Sequence, residues 1–395
     1  MTLEEVHDLK IVDTDTHVVE PADLWTSRVS VKKWGDLVPH VKWDSEKGQE
    51  AWYFGSGRIE GRSAWSSAMA GWREYPPDCP KSFSDVAREM WAPDARLKVM
   101  DDYGIWAQVL YPNVAGFGAG QYLGLKEPEL MLACVRAYND FLAEWGQFAP
   151  GRYIPVMALP FWDIAESLKE MARAADSGHK GIIFGNEPES FGSPPLISPH
   201  WDPIWAAAQD MGLAINFHIA AGDITPQHQI VEQMGRRAYH AAHPITFFLG
   251  NARTLTHLIA GGICHRFPRL NFVSVESGVG WIPFVLEALE WQWRNCDVRG
   301  EHPEYDLLPT EYFQRQIYGC FWFERDENLR HSISAIGAGN ILYETDFPHS
   351  TSMSPGPKSS AVQPDLFVKQ AMAGVDKQDI AKILHDNAAA IYGLD

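Results

Sequence analysis

Residues 11–17 read IVDTDTH, an apolar and β-branched run that ends on acidic and imidazole side chains. Seven further runs of similar character follow it, and amphipathic segments of helical length lie between most of them. Short runs rich in Val, Ile and aromatic residues are typical of buried strands. The eight predicted strands are Ile11–His17, Ala107–Pro112, Tyr153–Pro160, Gly181–Gly185, Leu213–Ala220, Asn271–Ser277, Tyr318–Glu324 and Ile341–Pro348.

The order of these predicted elements decides the fold class. Strands that alternate with helices must form a parallel sheet, because each connection is too long for a hairpin. Eight such units favour an α/β fold, the closed (β/α)8 TIM barrel. The rival is an open doubly wound sheet, but no G-x-G-x-x-G follows the first strand and no P-loop motif occurs. The predicted helices are Ala95–Tyr103, Glu129–Phe148, Ile164–Ser177, Ile204–Met211, Ile282–Asn295 and Asp326–Ile336, with Leu366–Tyr392 as a closing helical region.

The length of the chain predicts an insertion in the barrel. A TIM barrel needs about 250 residues, whereas this chain has 395. We therefore expect a single barrel domain over residues 1–395, with a tryptophan-rich insertion at 20–95 after the first strand. Seven of the 16 tryptophans lie in that insertion. Their side chains either pack the insertion onto the barrel or present a flat apolar surface to a ligand.

Composition and charge limit the classes of partner. The chain is 46% hydrophobic and 21% charged, which is typical of a globular enzyme. Its formal net charge of -18, with no compensating basic patch, argues against nucleic acid and anionic membrane surfaces as partners. Apolar runs long enough for a membrane span or a signal peptide do not occur, and the five cysteines form no CxxC pair. We expect a cytoplasmic protein.

Candidate catalytic residues lie where the predicted strands end, because TIM-barrel enzymes carry their chemistry at the carboxyl ends of the strands. Asp15 and His17 end the first strand, and they share a face because strand side chains alternate. The other candidates are His218 on the fifth strand, Glu276 on the sixth, and Asp346 with His349 on the eighth.

Each candidate taken alone has an ordinary structural explanation. A D-x-H sequence is more often a turn or a solvated rim, a histidine in an apolar strand is usually hydrogen-bonded in the core, and a lone carboxylate can cap a helix. The barrel changes this balance because its strand ends converge on one mouth. The combination then predicts a three- or four-ligand metal site with an open position for water or substrate.

Several short segments, spread over nearly the whole chain, match a known family. They are Asp13–Pro21, Arg96–Asp101, Leu110–Pro112, Asn216–His218, Arg266–Pro268, Glu276–Pro283, Thr345–His349 and Asn387–Ala389. Through them the chain resembles the amidohydrolase superfamily, and within it the amidohydrolase-2 branch. That branch includes aminocarboxymuconate-semialdehyde, gamma-resorcylate and 5-carboxyvanillate decarboxylases.

The resemblance implies that one divalent metal ion is held by four side chains, namely Asp15, His17, His218 and Asp346. Many members of the superfamily carry H-x-H in the first strand, whereas this chain has Asp15 in the first of these positions. A carboxylate in place of a neutral imidazole lowers the net charge of the site and weakens the pull of the metal on bound water. Mn2+ or Mg2+ therefore become credible beside Zn2+.

Two further residues follow from the same resemblance. The decarboxylases carry a histidine at or next to the position that Glu276 occupies in this chain. A glutamate there can give or take a proton, but it cannot act as a cationic electrophile. They also take a substrate-binding arginine from the helix after strand six, often across a subunit boundary, and Arg294 occupies the comparable stretch. Arg294 is equally consistent with a solvated helix end. The aromatic helix Phe284–Trp293 favours a homodimer.

Three functions remain open at this level. The first is a metal-dependent decarboxylase, a lyase acting on a small aromatic or conjugated carboxylic acid. The second is a metal-dependent hydrolase of a C–C, amide or ester bond, and the third is a catalytically inactive binding barrel. Glu276 favours hydrolysis and Asp15 favours decarboxylation. In either enzyme we expect proton transfer to involve Glu276, Asp346 or His349.

Overall fold

The computed structural model describes residues 1–55, 57–58, 63–222 and 228–394. Eleven strands occur in this part of the chain, and eight of them form the barrel. In chain order the strands are β1 Ile11–His17, β2 His40–Asp44, β3 Gln49–Phe54, β4 Gly57–Arg58, β5 Ile105–Tyr111, β6 Tyr153–Met157, β7 Gly181–Ile183, β8 Ala214–His218, β9 Phe272–Val275, β10 Ile317–Phe321 and β11 Ile341–Tyr343.

The barrel closes in the order β1-β11-β10-β9-β8-β7-β6-β5. Every neighbouring pair is parallel, and β1 pairs with β5 on one side and with β11 on the other. Asp13 lies opposite Tyr343 and His17 lies opposite Tyr111 in these pairs. The closed parallel barrel confirms the predicted fold class and contains all eight predicted strands.

Seven of the eight barrel strands, all but β1, end earlier than predicted. Two of them end beside candidate site residues: β9 ends at Val275 and β11 ends at Tyr343, whereas the predicted strands continue to Ser277 and Pro348. Glu276 has a φ of 59° and Asp346 a φ of 57°. This left-handed conformation cannot continue a strand and is uncommon for a residue other than glycine. The chain therefore bends where it places these carboxylates at the mouth.

Sixteen α-helices surround the barrel in the described part of the chain, and none of them is long and apolar enough to cross a membrane. The 25-residue helix α8 was not predicted, and the predicted closing helix is divided by a π-helical turn at Lys382–Asp386. The helices are α1 Leu3–His7, α2 Val31–Trp34, α3 Pro93–Asp102, α4 Pro128–Phe148, α5 Ile164–Asp176, α6 Asp202–Met211, α7 His228–Met234, α8 Arg236–Ala260, α9 Ile263–Arg266, α10 Ile282–Asn295, α11 Val298–Glu301, α12 Pro309–Gln316, α13 Asp326–Ile336, α14 Pro364–Ala371, α15 Lys377–Ala381 and α16 Asn387–Tyr392.

The segment between β1 and β5 contains a small antiparallel sheet of β2, β3 and β4, which was not predicted. Three of its tryptophans are buried and touch one another. The Trp25 and Trp52 rings are 5.2 Å apart, and the Trp52 and Trp65 rings are 6.2 Å apart. The indole N–H of Trp25 also donates to the carbonyl of Cys134 on α4. Trp25 thus joins the segment to α4, and Trp52 and Trp65 pack in a row behind it.

The last helix contributes to the interior of the barrel. Tyr392 of α16 is buried, and its hydroxyl donates to Oδ1 of Asn216 on β8 at 2.7 Å. The hydroxyl of Tyr111 on β5 donates to the same oxygen at 3.0 Å. The amide of Asn216 in turn donates to the carbonyl of Ile182 on β7. A polar network thus joins three barrel strands and α16 beneath the strand ends.

Candidate active site

Two histidines present one ring nitrogen each to the centre of the barrel mouth. Nδ1 of His17 donates to the carbonyl of Pro112 at 2.9 Å, and Nδ1 of His218 donates to the carbonyl of Ile219 at 2.8 Å. Each Nε2 of the neutral ring therefore carries a lone pair, and the two Nε2 atoms lie 3.3 Å apart. Two lone pairs this close repel unless a cation or a proton lies beside them.

Carboxylates complete the surroundings of these nitrogens. Oδ1 of Asp15 lies 3.3 Å from Nε2 of His17 and 3.5 Å from Nε2 of His218. Oδ1 of Asp346 lies 3.4 Å from Nε2 of His17. The main chain fixes this arrangement, because the N–H of Asp346 donates to the carbonyl of Asp15 at 2.9 Å. The structure thus brings together all four side chains proposed as metal ligands.

The four side chains fit a divalent metal ion. A metal bound at about 2.0–2.2 Å holds neighbouring ligand atoms roughly 3 Å apart, close to the separations seen here. Neither oxygen of the fully buried Asp15 carboxylate accepts a hydrogen bond from a described residue, which is costly without a compensating cation. Two imidazoles and two carboxylates suit Zn2+ or Mn2+. Three overlapping triads have metal-like spacing: Asp15, His17 and His218; His17, Asp346 and His349; Asp15, Glu276 and Asp346.

The electrostatics of the pocket are strongly negative. Burial alone would lower the pKa of His17, but the neighbouring carboxylates of Asp15 and Asp346 outweigh it and raise that pKa to about 10. Burial likewise opposes ionisation of Asp346, yet His349 and His17 hold its pKa below the usual range. The pocket therefore favours positive charge, and a bound metal would displace the proton that His17 otherwise holds.

Glu276 lies at the edge of this cluster on the turn after β9. Its side chain is only 8% exposed, and its Oε2 is 3.5 Å from Nε2 of His218. Its backbone N–H donates to the buried carboxylate of Glu344 at 3.0 Å. Burial, followed by the negative charges of Asp346 and Asp15, raises the pKa of Glu276 well above its usual value. The left-handed φ of 59° marks Glu276 as strained, which is common at functional positions.

His349 lies on the opposite side of the cluster. Its ring stacks on His17 with centroids 3.8 Å apart, and its Nδ1 is 2.7 Å from Oδ1 of Asp346. Its Nε2 is 2.7 Å from Oδ1 of Asn113, which can only accept, so Nε2 donates. Asn113 is oriented by Glu20, a fully buried carboxylate that accepts the Asn113 backbone N–H at 2.8 Å. His349 was predicted from the sequence as a site residue, whereas Asn113 and Glu20 were not.

Two buried residues outside the proposed ligand set, Asp13 and Arg96, hold the end of β1 in place. The carboxylate of Asp13 accepts hydrogen bonds from the backbone N–H of Thr345 at 2.9 Å and from the Thr345 hydroxyl at 2.6 Å. Asp13 thus connects β1 to the segment that contains Asp346. The buried guanidinium of Arg96 donates to the carbonyl of His17 at 2.8 Å. Both residues lie in segments that carried the family resemblance, but no role was assigned to them from sequence.

Arg294 does not join the cluster within this chain. It lies on α10 with a side chain that is 67% exposed, and it pairs with Glu290 at 3.4 Å, one helical turn earlier. Phe284 and Trp291 on the same helix are 73% and 64% exposed. A role for Arg294 at the metal ligands of its own chain therefore has no support in its contacts.

A cavity of about 180 Å3 opens beside His349. One wall is the tryptophan-rich segment between Met69 and Pro76, and the other is the loop from His349 to Ser360. The backbone N–H groups of Met69 and Ala70 both donate to the carbonyl of Pro348, which joins the two walls. The segment between β1 and β5 thus lines the cavity beside His349.

The chain matches a known protein family over nearly its whole length. The amidohydrolase family model matches residues 12–394. The gamma-resorcylate decarboxylase of Rhizobium radiobacter is 28% identical over 320 residues, which cover 76% of this chain and 87% of the relative.

Two solved structures share the fold over nearly their whole length. An amidohydrolase from Mycobacterium avium subsp. paratuberculosis K-10 superposes with a TM-score of 0.76 at 22% identity, covering 97% of this chain and 99% of its own. A dihydroxybenzoic acid decarboxylase from Polaromonas sp. JS666, solved with manganese and the inhibitor 2-nitroresorcinol, has a TM-score of 0.63 at 18% identity and covers 97% of each chain. The chain therefore belongs to the amidohydrolase-2 branch and is an enzyme of the amidohydrolase superfamily.

Proposed function

We propose that this enzyme is a metal-dependent decarboxylase of an aromatic or conjugated carboxylic acid. The observation that carries the proposal is the buried cluster of two imidazoles and two carboxylates, with one further acidic side chain, Glu276, beside it. The relationship to gamma-resorcylate decarboxylase over 76% of the chain supports this reaction class. Manganese in the Polaromonas structure supports a divalent metal, with zinc as the other candidate.

Each residue of the cluster has a proposed role. Asp15, His17, His218 and Asp346 would hold the metal, which supplies positive charge that binds and orients the carboxylate of the acid. Glu276 would hold a proton at its carboxyl and deliver it to the ring carbon. The bond between that carbon and the carboxylate breaks, CO2 leaves, and Glu276 regains a proton from solvent.

His349 is the proposed orienting residue on the other side of the cluster. Its ring is fixed by three contacts: the His17 ring, the Asp346 carboxylate and the Asn113 side chain. It would hold Asp346 in place and maintain the hydrogen-bonded path towards Glu20. Burial around the cluster excludes bulk water, which strengthens each of these electrostatic interactions.

Hydrolysis remains the second candidate function, and one observation favours it. Glu276 is a carboxylic side chain within 3.5 Å of a proposed ligand, so in its ionised form it could accept a proton from water. Hydrolysis of a C–C, amide or ester bond would form a new acid, whereas decarboxylation releases CO2.

The deciding experiment measures both products. Protein loaded with manganese or zinc is incubated with a panel of hydroxybenzoic acids and, separately, with their amides and esters. Release of CO2 with formation of the matching phenol would support decarboxylation. New acid from the amides or esters, with no CO2 from any acid, would overturn decarboxylation in favour of hydrolysis.

Homodimer formation through α10 is part of the proposal. The exposed aromatic side chains of Phe284 and Trp291 would meet the same helix of a second copy. Arg294, which makes only an exposed ion pair with Glu290 here, would then face the substrate carboxylate of the partner's site. A wild-type KM for the acid in an Arg294→Ala variant would contradict this role.

A further inference from the structure

An aromatic side chain outside the proposed ligand set lies directly against it. Phe117 is in the loop after β5, and its ring stacks on the His218 ring with centroids 3.8 Å apart and planes inclined at 30°. The same ring is 5.3 Å from the His17 ring and 6.4 Å from the His349 ring. Phe117 is the only one of these side chains that can neither bind a metal nor exchange a proton.

The loop backbone holds Phe117 in this position. It lies between two glycines, and Gly116 has a φ of 76°, which favours glycine. A Cβ on Gly118 would lie 2.9 Å from Cα of Gly185, so the loop is in close contact with the backbone that follows β7. The missing side chain of Gly118 permits this approach, and the positive φ of Gly116 turns the backbone just before Phe117.

Phe117 also packs against the edge of the hydrophobic core, so only part of its ring is covered by the histidines. Phe117 is partly exposed rather than buried, so part of its surface remains available to a ligand. A flat conjugated ring bound through its carboxylate at the metal ligands would meet that surface and could stack on it.

We infer that Phe117 is a specificity-determining residue, which selects flat aromatic or conjugated acids by stacking on their rings. The inference rests on the proposed function, because it assumes that the acid is bound at Asp15, His17, His218 and Asp346. Phe117 takes no part in metal binding or proton transfer. Its contribution is to substrate binding, and it should be visible in KM and in ligand affinity.

The test is calorimetric binding of a flat probe to manganese-loaded protein. The probe is 2-nitroresorcinol, the inhibitor held by the Polaromonas decarboxylase, supported by related nitrophenols. Phe117→Leu keeps an apolar side chain but removes the ring face, and it should raise Kd about 3- to 10-fold, the scale of a lost aromatic contact. Phe117→Tyr keeps the ring and should restore wild-type affinity. In turnover assays Phe117→Leu should raise KM more than it lowers kcat.

Phe148→Leu is the matched control, because Phe148 is half exposed at the end of α4 and its substitution removes a phenyl ring at a distance from the barrel mouth. Unchanged probe affinity in Phe117→Leu would overturn the inference. Loss of manganese from that variant would also overturn it, since Phe117 would then support His218 rather than the ligand. If the wild type binds none of the probes, the proposed function fails, and that result is separate from any difference between variants.

Discussion

Replacing Glu276 by glutamine tests the proposed proton donor with little change in shape. The substitution keeps the size of the side chain, and the backbone N–H of residue 276 can still donate to Glu344. Oε2 of Glu276 is 3.5 Å from Nε2 of His218, too long for a strong hydrogen bond. We therefore expect the variant to fold and to retain its metal.

The expected effect is on turnover. Losing a general acid–base group lowers kcat by about 10²- to 10⁴-fold, equivalent to about 3–5 kcal/mol of transition-state stabilisation. The assay is CO2 release from the acid identified in the substrate screen, with manganese content measured on the same samples. Full activity in Glu276→Gln would contradict the reasoning and move proton transfer to Asp346 or His349. Loss of manganese would instead make Glu276 a ligand.

Glu324→Gln provides the matched control. Glu324 is another buried carboxylate beside the same strand ends, but its oxygens accept the backbone N–H groups of Val279 and Trp322, at 2.5 and 3.1 Å, rather than facing the ligands. An amide there leaves one N–H without an acceptor and should lower the free energy of unfolding by about 1–3 kcal/mol. Its kcat per bound metal should remain that of the wild type.

Three further predictions concern the metal, acid stability and assembly. His218→Ala should lose metal and activity together while its far-UV circular dichroism stays native, and manganese retained at the wild-type level would show that His218 is not a ligand. Burial lowers the pKa of His179 from 6.5 to about 4, and its Nε2 has no partner among the described residues. The unfolded chain therefore takes up a proton on this residue near pH 6.5, whereas the folded chain does so only near pH 4. The free energy of unfolding should fall by about 3 kcal/mol in total as the pH is lowered between these two values. Urea unfolding at pH 7.5 and pH 5 should show this decrease in the wild type and a smaller one in His179→Asn, and equal decreases would refute the assignment. Light scattering at micromolar concentration should give a dimer, and Phe284→Glu with Trp291→Glu should give a monomer; a monomeric wild type would contradict the proposed interface.

The sequence was sufficient to predict the barrel and its strand-end candidates, because both depend on local pattern. Alternation along β1 places Asp15 and His17 on one face, and parallel closure brings His218 and Asp346 to the same mouth. The ends of β9 and β11 were predicted too late, since the left-handed backbone of Glu276 and Asp346 that bends the chain has no signature in the sequence.

Residues whose positions depend on distant contacts were not predicted. Asn113 and Glu20 are 93 positions apart, and neither belongs to a motif that suggests their hydrogen bond. Phe117 is one aromatic residue in a glycine-rich loop, and its stacking on His218 depends on the approach of Gly118 to Gly185. The sheet of β2, β3 and β4 was missed although β2 alternates, because β3 begins with two polar residues and ends with an apolar run, and β4 has only two residues.

The pairing of β1 with β11 has a consequence for biosynthesis. Asp346 is synthesised more than three hundred residues after Asp15. The N–H of Asp346 must then reach the carbonyl of Asp15 to align the two side chains. A growing chain therefore cannot assemble the full ligand set until β11 has been made, and its early strands must wait with an unpaired edge. The four proposed ligands can therefore hold a metal ion together only after the last strand has joined the first.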